Sequence, residues 1–213
     1  GAAVAPVGAS LAAAPAAHVQ LLASPAAFNP PGVADSQATL TALLAQAKSE
    51  VRMQALDYAP LGYGPDGTRP YYAVIDNAVR AAAARGVTVK LLVSNWNTEK
   101  PSIDYLKSLA LLPHVQIRVV TLPQWSGGPI PFARVMHSKT MVVDGKAVWI
   151  GTSNWAGGYL DKSRNLEVLL RDGAMAQRVW RMQEQVWNSP YAQPLDINKD
   201  YPKPLKTGEP TKE

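Results

Sequence analysis

Residues 135–155 read VMHSKTMVVDGKAVWIGTSNW, two runs rich in β-branched residues on either side of Asp144 and Gly145. An Asp-Gly pair between such runs favours the type I′ turn of a two-residue hairpin, so strands are expected at 135–143 and 146–153. That turn sets Val143 against Lys146. Counting back along the strands puts Lys139 opposite Ile150 and His137 opposite Thr152. Side chains two apart share a face, so His137 and Lys139 point the same way at the end far from the turn.

The rest of the chain alternates helical and extended patterns. Residues 35–49 offer Asp35 or Ser36 as an N-cap, with Leu40, Leu43, Leu44 and Ala47 on one helical face. A strand is expected at 50–58, a helix at 71–85 ending at Gly86, and a buried strand at 87–94. A helix at 101–112 opens with Pro101, strands follow at 114–121 and 165–172, and a last helix spans 174–187. That helix lines up Ala176, Val179, Met182, Val186 and Trp187 along one side. The pattern predicts an α/β fold with a mixed β-sheet sandwiched by helices, and a single copy of the unit, because no internal repeat is found.

The flanks read differently. Nine of the first seventeen residues are Ala, and prolines at 6, 15, 25, 30 and 31 oppose helix formation. Residues 1–34 are therefore expected to be an Ala/Pro-rich arm or linker, 35–190 the folded domain, and 191–213 an extended tail. The segment at Gly1 lacks the basic and leucine-rich parts of an intact signal peptide and reads as a linker or processed end. An exported location, periplasmic or secreted, is the expectation.

Composition excludes several chemistries. The 213 residues contain no cysteine, which removes disulfides, thiolate metal sites and cysteine nucleophiles. No apolar run approaches the roughly 20 residues of a membrane span. A net charge of +5 suits phosphate-bearing partners without marking a protein that coats nucleic acid. Histidine occurs at His18, His114 and His137 only, so imidazole chemistry has few places to live.

Around His137 several polar groups converge. Lys139 brings an ammonium beside the imidazole, Gly151 permits close backbone approach, and Thr152, Ser153 and Asn154 supply donors. A neutral imidazole can attack a phosphodiester while Lys139 and Asn154 stabilise the charge of the pentacoordinate state. Neither a metal nor another cofactor is required. Glu167, on the next strand, can orient the imidazole by a hydrogen bond to its second nitrogen, or equally serve as a structural carboxylate. Asp144 falls at the turn, several residues from His137, where a structural role is expected. Among the six tryptophans and eight tyrosines, Trp149, Trp180 and Trp187 fall inside elements. Tyr58, Trp96, Trp125 and Trp155 follow strand ends or occupy loops and are the candidates to line a cleft.

The string His137-x-Lys139, four residues, Asp144, six residues, then Gly151-Thr152-x-Asn154 resembles the HKD motif of the phospholipase D superfamily. The resemblance implies that His137 forms a covalent phosphohistidine, that Lys139, Ser153 and Asn154 hold phosphate oxygens, and that Asp144 and Glu167 complete the catalytic set. IPFARVMHSKTMV, GTSNWAGGYL and WNSPYAQPLD are similar to the second half of the lysosomal phospholipase-D-like 5′-exonucleases and their poxvirus envelope relatives, over about residues 22–196.

Such proteins usually carry two motifs, and this sequence carries one. The reaction also needs a general acid for the leaving oxygen, and neither His18 nor His114 has a Lys two residues on. The expected partner is therefore a second HKD half, from a homodimer or a separate chain with the first half. The expected substrate is a phospholipid, hydrolysed or transferred, with contact at a membrane surface. Alternatives are single-stranded nucleic acid cleaved by the same site, or a non-catalytic half that completes a partner.

Overall fold

In residues 18–206, which the computed structural model describes, apolar runs become strands and apolar stripes become helices. In chain order these are β1 (Val19–Ser24), β2 (Ala34–Asp35), α1 (Ser36–Gln46), β3 (Glu50–Ala55), α2 (Val74–Ala84), β4 (Thr88–Ser94), α3 (Ser102–Ala110), β5 (Val115–Val120), β6 (Thr140–Val143), β7 (Ala147–Gly151), β8 (Asn165–Leu170), α4 (Gly173–Trp187) and β9 (Ala192–Pro194). The strands form one mixed sheet in the order β2-β1-β8-β7-β6-β3-β4-β5-β9. β3, β4 and β5 run parallel, and β6, β7 and β8 form an antiparallel meander beside β3.

Both faces of the sheet are covered, as the sequence predicts. β4 reads TVKLLVS with little alternation because it is central: Leu91 and Val93 enter the core under α1, α2 and α3, while Leu92 packs on the other face. α2 buries Ile75, Val79, Ala82 and Ala83, and α3 buries Ile103, Leu106 and Leu109, each at helical spacing. The opposite face presents Val142 and Val148 to Ala176 and Val179 of α4. Among the described residues no helix is long and apolar enough to cross a membrane.

Asp35 caps α1, accepting from the backbone N–H groups of Gln37 and Ala38, and Asp172 caps α4 in the same way. On α4 the buried stripe departs from the expected one, since Met182 is 65% exposed while Gln183 is buried. Gln183 is four residues beyond Val179, and its amide donates to the Thr140 hydroxyl at 3.0 Å, which gives the polar group a partner inside.

The flanks also differ from expectation. Part of the expected arm is β1, which pairs antiparallel with β8 along its whole length and buries Leu22 fully. The domain therefore starts within the first 34 residues, and residues 1–17 lie outside the described ones. In the expected tail, β9 pairs with β5, Leu195 N–H donates to the carbonyl of Ile117 at 2.9 Å, and Lys206 reaches Glu99 at 2.8 Å. Those contacts close the far sheet edge, which an open strand would leave with unpaired donors and acceptors.

The hairpin register is one residue longer than its dipeptide predicts. Thr140 pairs with Ile150 and Val143 with Ala147, leaving Lys146 as an extra residue. Asp144 and Gly145 adopt φ of 52° and 64°, the left-handed pair of a type I′ turn, and Lys146 N–H donates to Val143 at 3.0 Å. The turn is also held from outside. The Asp144 carboxylate accepts from Lys48 N (3.0 Å), Ser49 N (2.8 Å), Ser49 Oγ (2.8 Å) and Glu50 N (3.0 Å), and Asp144 N–H donates to Glu50 O at 2.8 Å. The structural role expected for Asp144 is thereby specified: it ties the hairpin tip to the first residue of β3.

Partial burial pushes the Asp144 carboxyl upward, but the hydrogen bonds from Glu50, Ser49 and Lys48 outweigh it and hold the acid below the ordinary aspartate range. Replacing Asp144 by Ala should cost about 2–3 kcal/mol in urea unfolding at pH 7. A depressed folded value means that the contribution is complete above the unfolded value of about 4 and disappears as pH falls through the lower folded one. The gap between the two proteins should therefore narrow on acidification; a gap constant from pH 7 to pH 2 to 3 would contradict this role.

Candidate active site

His137 and Lys139 lie in the extended segment that leads into β6, and Gly151 N–H donates to Lys139 O at 3.2 Å, so the ladder with β7 continues past the strand. Because the register is one longer, Lys139 faces Gly151 rather than Ile150, and Ser153 rather than Thr152 is level with His137. A one-residue shift exchanges faces, so the row across the sheet becomes Lys139, Gly151, Glu167. Thr152 is used elsewhere: its hydroxyl donates to Asn165 Oδ1 at 2.9 Å and accepts from Leu166 N–H at 3.2 Å.

The two basic motif residues differ sharply in exposure. His137 is exposed, whereas Lys139 is 5% exposed. Lys139 Nζ donates to His137 O at 2.8 Å and lies 3.4 Å from each imidazole nitrogen. No ion pair involves Lys139 among the described residues. Burial lowers the Lys139 pKa, partly offset by Asp57. His137 is also held below its ordinary value, first by desolvation and then by the Lys139 charge, against an upward pull from Asp57. The imidazole is thus biased toward the neutral form that a nucleophile needs.

Asn154 and Ser153 are both buried behind this pair. Asn154 Oδ1 accepts from Asp57 N–H at 3.3 Å, and the exit of β7 is stitched to the exit of β3 by Trp155 N–H to Asp57 O (2.9 Å) and Ala59 N–H to Trp155 O (3.1 Å). The Ser153 hydroxyl has no hydrogen-bond partner among the described residues. An open depression of about 330 Å³, lined by His137, Ser138, Lys139, Thr140, Ile150, Gly151 and Thr152, runs alongside.

Glu167 is buried in β8, where its Oε2 accepts from the Trp149 indole at 2.9 Å and its Oε1 has no partner. It forms no hydrogen bond with His137. Gly151 explains how so large a group fits, since a Cβ there would meet Trp149 at 2.5 Å and Glu167 Cγ at 2.7 Å.

The aromatic candidates divide. Tyr58 and Trp155 are core: Tyr58 donates to Asp76 at 2.8 Å, and Trp155 packs between Trp149 and Tyr58. They belong to segments that fold back over the sheet, so position after a strand does not mean exposure. Trp96 is half-buried, edge-on to Phe132, with Lys206 5.8 Å above its ring. Trp125 is 56% exposed in the Pro/Gly-rich loop.

Sequence reasoning missed Asp57, whose backbone N–H donates to Asn154 and whose carboxylate lies within electrostatic reach of Lys206, Lys139 and Arg69. Its only sequence signal is an acid two residues past an apolar strand. Replacing Lys139 by Met should raise the His137 pKa toward the ordinary 6.5, measured by NMR titration of the imidazole. A value unchanged by the replacement would show that the ammonium does not set the imidazole's charge.

Comparison with known proteins supplies a family. Residues 40–187 match the family model described as cardiolipin synthase, PLD-like domain. A probable phospholipase D of Caenorhabditis elegans is 32% identical over 185 residues, covering 81% of this chain and 33% of the relative. The human 5′-3′ exonuclease PLD4 is 34% identical over 190 residues, 82% of this chain and 37% of the relative. The chain thus spans about a third of the length of these curated relatives. Among solved structures, NucT from Helicobacter pylori superposes with a TM-score of 0.65 at 15% identity, covering 83% of this chain and 98% of that one, which establishes the shared fold.

Proposed function

The chain belongs to the phospholipase-D-like family matched by that model, and from this premise we propose that it is one half of a phosphodiesterase acting through a phosphohistidine at His137. The observation that carries the reading is the buried Lys139 ammonium, placed against the imidazole with no carboxylate paired to it among the described residues. A buried cation calls for an anionic partner, and a phosphodiester oxygen meets that need.

The steps use groups already described. A neutral imidazole nitrogen of His137 attacks phosphorus, an N–P bond forms, and the bond to the leaving oxygen breaks as that oxygen takes a proton. Lys139 and the Asn154 amide stabilise the extra charge on the equatorial oxygens. Water, or an alcohol in a transfer reaction, then attacks phosphorus: the O–P bond forms, the N–P bond breaks, and the proton of the attacking oxygen passes to the base left when the leaving group was protonated. The proton for the leaving group needs a second acid. His18 bonds to Arg171 O at the opposite end of β1 and β8, and His114 precedes β5 at the N-terminal edge of the parallel strands. Both are at the wrong end of the sheet, which supports pairing with a second half.

A phospholipid is the leading substrate candidate, and single-stranded nucleic acid is the alternative. The nucleic-acid reading draws support from Phe132, 64% exposed and edge-on to Trp96, an aromatic surface on which a base can stack. The 34% identity to the exonuclease PLD4 is matched by the 32% identity to a probable phospholipase D, so the relatives' names fit either substrate.

In the assembled protein, His137→Ala should lower kcat by roughly three to four orders of magnitude and abolish capture of radiolabelled phosphate from a phosphodiester. Retained turnover or labelling would exclude His137 as the nucleophile. Native mass measurement should find two halves per active particle, and a fully active lone chain would refute pairing. Side-by-side rates on phosphatidylcholine vesicles and a 5′-labelled single-stranded oligonucleotide decide the substrate class.

A further inference from the structure

Asp57 stands at the C-terminal end of β3, between the motif residues and a small enclosed space. That space, about 10 Å³, is lined by Asp57, Tyr63, Arg69, Trp96, Glu99 and Lys206, and holds at most a single water. A phosphate group cannot enter it. The carboxylate wall it presents is therefore part of the protein's own charge balance, beside the surface where His137, Lys139 and Asn154 converge.

The groups facing Asp57 come from every neighbouring element. Lys139 and His137 come from the segment before β6, Asn154 from the exit of β7, Tyr63 and Arg69 from the loop after β3, Glu99 from the turn after β4, and Lys206 from the C-terminal segment. Tyr63 donates to Asp57 Oδ2 at 3.4 Å. Despite three cations nearby, Asp57 forms no ion pair among the described residues. Lys206 is taken by Glu99 at 2.8 Å, and Arg69 by the carbonyl of Gly62 at 2.8 Å with its guanidinium over the Tyr63 ring. Among the described residues Arg69 and Lys139 both lack a carboxylate partner, and Lys139 is the one that is buried.

Two anions thus claim one buried ammonium. We propose that Asp57 is a positioning residue that balances the Lys139 charge in the free protein and takes up a proton when a phosphate group binds Lys139 and Asn154. The inference rests on the reading of Lys139 and Asn154 as phosphate ligands. Asn154 couples the two positions directly, because the side chain that meets the phosphate also accepts from the Asp57 backbone. Burial already pushes the Asp57 carboxyl above its ordinary value, against the pull of Lys206, Lys139, Tyr63 and Arg69. A second negative charge beside it pushes the same way. By linkage, whatever raises Asp57 on anion binding makes the anion bind more tightly as pH falls through the Asp57 titration.

The test is proton-linked calorimetry on the assembled protein with inorganic sulfate, which stays a dianion throughout, in buffers of different ionisation enthalpy between about pH 4 and 7. The wild type and His137→Ala should both take up protons on binding sulfate. Asp57→Asn should take up measurably fewer than the wild type and bind sulfate roughly fivefold or more tightly at pH 7, where the competing carboxylate is gone. Asp57→Glu should restore the uptake, and thermal melts identify any variant that fails to fold.

Equal uptake by the wild type and Asp57→Asn overturns the inference, as does weaker sulfate binding by a folded Asp57→Asn protein. Affinity indifferent to Lys139→Met means an adventitious ion only, and overturns it as well. Failure of the phosphohistidine reading is a separate result: His137→Ala would keep its turnover while the Asp57-dependent uptake stands.

Discussion

The Asp144 carboxylate, gathering three backbone N–H groups and a hydroxyl from residues 48–50, fixes how β6 and β7 lie against β3. Everything at the opposite end of these strands inherits that register. With side chains alternating in direction, a slip of one residue would send Lys139 to the other face and away from Gly151 and Glu167. The acid stands far from the imidazole along the strand, yet it determines which face the imidazole and ammonium share. Its influence on the candidate site is mechanical, transmitted through paired backbone.

At the site itself the governing quantity is the cost of burying charge. Lys139 is enclosed while hydrogen-bonding a carbonyl and lying beside an imidazole, neither of which carries a full negative charge. Asp57, the acid in electrostatic reach, is itself desolvated. Such a pair is held in an unsettled balance that a bound anion can tip, because removing one partner of a buried interaction leaves the other exposed to its full desolvation penalty. The His137 imidazole, exposed but beside the ammonium, experiences both charges at once, downward from Lys139 and upward from Asp57.

Much of this was legible in the sequence, for local reasons. The stripes Ile75, Val79, Ala82 and Ile103, Leu106, Leu109 announce helices, and the uninterrupted apolar β4 announces a central strand. His137, Lys139 and Asn154 were identifiable because their spacing on a hairpin is itself short-range. What the sequence concealed was non-local. β1 buries little beyond Leu22, Ala23 and Ser24, lies between prolines, and pairs with a strand more than 140 residues away. β9 is three residues long and includes a proline. The extra residue at Lys146 depends on the grip of residues 48–50, which the Asp-Gly dipeptide does not encode. Asp57 gives no periodic signal, and its meaning arises only where β3 and β7 end together.

The motif spacing therefore records sheet geometry as well as chemistry. Asp144 anchors the tip; Gly151, by lacking a Cβ, lets Glu167 and Trp149 close against the strand backbone; Asn154 joins the end of β7 to the end of β3 through Asp57 N–H. Each residue type answers a packing demand before any substrate is considered. Those demands explain why the buried Lys139 sits level with the buried Glu167 across a glycine: the missing side chain is the space that the carboxylate and indole occupy. A larger residue at 151 would meet Trp149 at 2.5 Å and Glu167 at 2.7 Å and force both to move. The edge that carries His137 is thus supported by a row of contacts running inward from it, and the imidazole is only as well placed as that row.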